Sequence, residues 1–150
     1  MFDAIADAAA AESQLWGDAL RPVDEQRREP VFSALAPARH AVGLETIYEG
    51  YLVHYGRSRL FAPADGDTAL LLGDYLYAHG LVRIAESGDV RAVGDLAELI
   101  SRCAQLRAEG HDGDGAEWAA TSATLGADGH VVAGNGAVDA ALAAHARLVG

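Results

Sequence analysis

Between Asp67 and Glu86 lies a segment, LLLGDYLYAHGLVRIA at its centre, that is apolar nearly all round a helical wheel. A helix without a polar face must be enclosed on several sides. The chain therefore needs a group of packed helices around it. Gly73 and Gly80 stand seven apart on one face. Each costs roughly 1 kcal/mol of helix propensity relative to Ala, and the usual return is the close approach of a second helix.

The rest of the sequence supplies those neighbours. Ala numbers 32, while Val, Ile and Thr number 11, 4 and 4. That balance favours helix over strand. Breakers and caps divide the chain into helices over about 3–20, 38–55, 67–86, 90–108, 116–125 and 137–149. A charged segment, Asp24 to Glu29, reads as a surface helix or loop. Gly126 to Gly136 reads as a connector whose only apolar point is Val131-Val132. The 150 residues suit one domain, and no linker or repeat divides them. The expected architecture is one all-α helical bundle, with N-terminal helices over 1–36 and the main body over 37–150.

Charge excludes some functions. Eleven basic residues, all Arg, face 22 acidic ones, for a net charge of −11. Such a chain repels phosphate backbones and anionic membranes, so neither nucleic-acid binding nor a stable membrane anchor is expected. Cys103 is the only cysteine, which removes disulfides and cysteine-based zinc sites. It lies on the apolar face of its helix and reads as core. The acidic N-terminus lacks the pattern of a signal peptide, so a cytoplasmic location is expected.

Chemistry-bearing patterns are sparse. His111 to Gly115, HDGDG, begins like a calcium loop but breaks at Gly115-Ala116, leaving an acidic turn before a helix. No His-x-x-x-His or Glu-x-x-His pair occurs. Glu45 and Glu49, one turn apart, read as a solvated face. Asp74, in an apolar helix, reads as a partly buried structural carboxylate whose partner must come from another helix. Tyr48, Tyr51 and Tyr55 form an aromatic stripe that fits core or interface; the sharper alternative is the lining of an apolar cavity. Gly73, Tyr77, Gly80 and Ile84 form a continuous stripe on one helix. With Val93 and Ile100 of the next helix, they are candidates for a subunit interface.

Leu70 to Ala78, LLLGDYLYA, resembles the L-x-GD-x-L-x-A helix of trans-prenyl diphosphate synthases, all-α enzymes that extend allylic diphosphates. Leu44-Glu45-Thr46-Ile47-Tyr48 resembles the family's E-x-I-H stretch, and Val53-His54 the Leu-His before its first aspartate-rich motif. Ala108-Glu109-Gly110 resembles a later A-E-G. The likeness spans roughly 40–150 and implies a truncated isoprenoid synthase fold. Where the family's metal-binding D-D-x-x-D should begin, this chain has Tyr55, Gly56, Arg57, Ser58 and Arg59. Those side chains supply no carboxylate oxygens for magnesium.

The resemblance thus implies a short non-catalytic subunit, paired with a catalytic prenyl diphosphate synthase in isoprenoid biosynthesis. It implies no cofactor of its own, with magnesium entering only through the partner. In the family the GD helix and its successor form the subunit interface. A second reading is a stand-alone homodimeric helical module that binds an apolar or isoprenoid ligand. A third keeps catalysis, with Arg57 and Arg59 gripping a diphosphate directly.

Overall fold

The computed structural model describes residues 1–125 and 134–150. Among them all regular structure is helical. α1 (Phe2–Glu12) and α2 (Gln14–Asp18) precede α3 (Ala41–Tyr55), α4 (Gly66–Glu86), α5 (Val90–Ala108), α6 (Asp114–Thr124) and α7 (Asn135–Val149). The all-α bundle expected from composition is the observed architecture. The connector expected over 126–136 lies outside the described residues from 126 to 133.

Local chemistry sets the ends. Asp65 accepts a hydrogen bond from the Thr68 N–H at 2.7 Å and opens α4. Asp89 does the same for Ala92 at 3.0 Å and opens α5. Both are N-caps of the ordinary kind. The single N-terminal helix expected over 3–20 is broken at Ser13. That residue turns to extended backbone, and its hydroxyl oxygen accepts from the Leu15 N–H, which starts a new helix. The charged segment forms only the 3-10 turn Val23–Glu25, and residues 26–29 carry no regular structure. It runs beside residues 59–62. The Arg21 N–H donates to Leu60 O at 2.8 Å, and the Arg27 N–H to Arg59 O at 3.1 Å.

The helix enclosed on all sides is α3, not α4. Every residue from Gly43 to Leu52 is buried, Glu45 and Glu49 included. Two apolar groups meet across it. Phe32, Tyr48, Tyr51, Leu96, Cys103 and Trp118 belong to one. Phe2, Ile5, Trp16, Leu60, Phe61 and Leu72 belong to the other. By contrast, α4 leaves Leu70 and Leu71 56% exposed and Val82 54% exposed.

Four glycines bring α3 and α4 together. A methyl at Gly50 would sit 2.9 Å from Gly73 O, and one at Gly80 would sit 2.9 Å from Gly43 O. Gly73 makes room for the His54 ring, and Gly43 for the Ile84 side chain. The close approach predicted for Gly73 and Gly80 is therefore real. Its partner is α3 of the same chain.

Candidate functional site

The most unusual arrangement lies beside α3. Arg59 is 1% exposed and sits between two buried carboxylates. Its Nη1 donates to Glu45 Oε2 at 2.7 Å and its Nε to Glu49 Oε2 at 2.8 Å. The second oxygen of each carboxylate is also satisfied. Glu45 Oε1 accepts the N–H groups of Val31, Phe32 and Ser33 at 2.8–3.0 Å. Glu49 Oε1 accepts the Leu60 N–H at 2.9 Å and the Ser58 hydroxyl. The guanidinium also lies over the Phe2 and Tyr48 rings at 5.0 and 5.1 Å. Burial alone would weaken its charge. The Glu49 and Glu45 carboxylates outweigh that effect and hold its pKa above the ordinary value.

Two expectations change as a result. Glu45 and Glu49 are not a solvated face; they are the buried acids of a clasp. Arg59 does not face solvent and is not free to hold a diphosphate, because both edges of its fork are already occupied. The clasp ties residues 31–33 and 58–60 to α3. Arg59 Nη1 further donates to Glu29 O at 2.9 Å.

The clasp in turn shapes a cleft of about 240 Å³ on the surface beside it, lined by Arg21, Glu25, Arg27, Arg57 and Ser58. Arg57 is exposed and donates to Arg147 O at the end of α7. A second cleft of about 350 Å³ shares Arg21, Arg57 and Ser58 and continues past Val53, Phe61 and Pro63. Arg57 thus lines both clefts. Its cationic companions are Arg21 and Arg27. Neither stands out in the sequence, because Arg21 closes the first expected helix and Arg27 falls in a segment read only as surface. Three arginines within 21–28 of a chain without Lys were the available signal.

The tyrosine stripe fills the core. Tyr48 and Tyr51 are fully buried, stacked on each other at 5.7 Å and packed against Trp118. Tyr55 is half-buried and follows Tyr51 at 5.3 Å. The rings occupy the space an apolar cavity would need. Tyr48 OH pairs with His145 Nδ1 at 2.9 Å. Tyr51 OH donates to Asp114 and accepts from Arg107 Nη2 at 2.8 Å, while Arg107 Nε donates to Asp114 Oδ2 at 2.9 Å. Burial would raise the Asp114 carboxyl, but the Tyr51 and Arg107 hydrogen bonds outweigh it and hold it below the usual range. Burial lowers His145.

The acidic turn of HDGDG therefore leads into α6 as expected, and Asp114 serves the Arg107–Tyr51 network. Among the described residues no three His, Cys, Asp or Glu side chains gather as a metal-ligand group.

The proposed interface residues fall inward. Gly73, Gly80 and Ile84 are buried against α3, and Tyr77 packs on His54 at 5.1 Å. Val93 and Ile100 are half-buried against the core. The stripe 73, 77, 80, 84 is consumed within the chain, because Gly43 and Gly50 of α3 complement it. The outward face of α4 carries Leu71, Ala78 and Val82 instead. Asp74 is on that side, 65% exposed rather than buried. Its partner does come from another helix, His54 Nε2 at 3.2 Å. Cys103 is buried as expected, and burial pushes its thiol up to about 12.

Comparison with known protein families finds no matching family, and no significant match exists among curated proteins or solved structures. Among the described residues no helix is long and apolar enough to cross a membrane.

Proposed function

We propose that this chain is a non-catalytic subunit of a heteromeric prenyl diphosphate synthase, acting by association with a catalytic subunit. The reading rests on the resemblance in sequence, and one structural observation carries it further. At positions 55–59, where the resembling family would hold magnesium on carboxylates, the side chains serve packing and anchoring. Tyr55 joins the aromatic core, Ser58 bonds Glu49, and Arg59 closes the clasp. A site rebuilt in this way offers no metal-bridged route for diphosphate departure. The exposed apolar residues Leu71 and Val82 on α4 support association, on the face opposite the one expected from the glycine stripe.

The test is co-expression with a full-length prenyl diphosphate synthase from the same source, read by light scattering and product analysis. A stable complex with altered product length, and no turnover by this chain alone with magnesium and allylic diphosphate, is the expected result. Magnesium-dependent elongation by the pure chain would overturn the non-catalytic reading. Absence of a complex with every synthase of the source would overturn the subunit reading.

A further inference from the structure

We propose that the cleft of Arg21, Arg27 and Arg57, with the apolar trough that continues from it, binds a single-chain amphiphile bearing a phosphate head group. The inference stands on the geometry of this chain alone and needs no partner.

The pairing of arginines carries it. In a chain with twice as many acids as bases, guanidinium groups find carboxylates easily. Arg28, Arg39, Arg59, Arg91, Arg102, Arg107 and Arg147 do so among the described residues, while Arg83 bonds His79 and Ala4 O. Arg21, Arg27 and Arg57 make no such ion pair there, and all three line one cleft. Their backbones are fixed. The Arg21 and Arg27 N–H groups are held on residues 59–60, and the Arg57 N–H on Leu148 O at 2.9 Å. Residues 59–60 are themselves pinned by the buried clasp. Three cations thus line one cleft, with Glu25 as the acid beside them, and an anion there would be attracted by all three.

The head group follows from the donors. Guanidinium forks match phosphate oxygens in pairs. A doubly charged head uses more of three cations than a singly charged carboxylate does. The tail follows from the neighbouring trough. It shares Arg21, Arg57 and Ser58 with the head cleft and is walled by Val53, Phe61, Ala62 and Pro63. One molecule can therefore lay its head on the arginines and its chain along the apolar wall. Burial contributes about 0.8 kcal/mol for each methylene removed from water.

Calorimetric titration of the pure chain with octyl phosphate, inorganic phosphate and octanoate tests this. Saturable 1:1 binding of octyl phosphate is expected, at least tenfold tighter than either inorganic phosphate or octanoate. The double variant Arg21→Ser/Arg27→Ser should weaken it at least tenfold, with circular dichroism unchanged. Octyl phosphate bound no more tightly than inorganic phosphate overturns the trough. Octanoate bound as tightly as octyl phosphate overturns the phosphate head. Undiminished binding by a folded double variant overturns the site. Should that variant unfold, Arg27→Gln alone gives the same readout. Attachment only to vesicles containing phosphatidic acid, without octyl phosphate binding, also overturns the proposal.

Discussion

At the scale of single residues, partners decide more than side-chain type. Glu45 and Glu49 look like solvent-facing acids because nothing within a helical turn neutralises them. Their partner Arg59 lies ten and fourteen residues away, beyond the end of α3, where no periodicity points to it. Asp114 and His145 make a similar case within the aromatic core, and both give stability a pH dependence. His145 has a folded pKa below its ordinary 6.5, so its neutral form is the one that fits. Stability should therefore decline as pH falls below about 6.5. Asp114 has a folded pKa below the ordinary 3.8, so its contribution is full above that value and is lost as pH falls through the folded one. Acid unfolding followed by near-UV circular dichroism should show both limbs. His145→Gln should flatten the upper limb and leave the lower one. An unchanged upper limb would contradict the assignment to His145.

At the scale of elements, the order of helices was legible and their depth was not. Asp65, Asp89 and the Gly and Pro breakers are local signals, and they mark where helices begin and end. Which helix is enclosed depends on packing between segments. α3 carries two acids within its sequence, yet it takes the centre, because Arg59 cancels them and Gly43 and Gly50 let α4 press against it. The glycine stripe on α4 was read correctly as a close contact, and only its partner was misplaced. Gly50→Ala should therefore destabilise the chain by about 1–3 kcal/mol, since the added methyl would press on Gly73 O and strain both backbones. Gly94→Ala, where a Cβ meets nothing within 4 Å, should be neutral or mildly stabilising. Chemical denaturation of the two variants makes the comparison. Equal effects would show that the α3–α4 contact is looser than described. Neither variant should change the oligomeric state, because both glycines lie away from the outward face of α4.

At the scale of the whole molecule, one clasp joins parts that are distant in sequence. Through it α3 holds residues 29–33 on one side and 58–60 on the other, and these in turn fix the arginines of the cleft. The Arg-lined cleft was half legible. Arg57 was singled out, while Arg21 and Arg27 reach it only through a tertiary path that sequence spacing does not reveal. Breaking the clasp should loosen the bundle and the cleft together, because a lone carboxylate pair would remain buried without its cation. The most direct measurement is the urea unfolding free energy of Arg59→Met against Arg57→Met. The account predicts a loss of about 3–5 kcal/mol for Arg59→Met and less than about 1 kcal/mol for the exposed Arg57→Met. Equal small losses would contradict it, returning Arg59 to the surface.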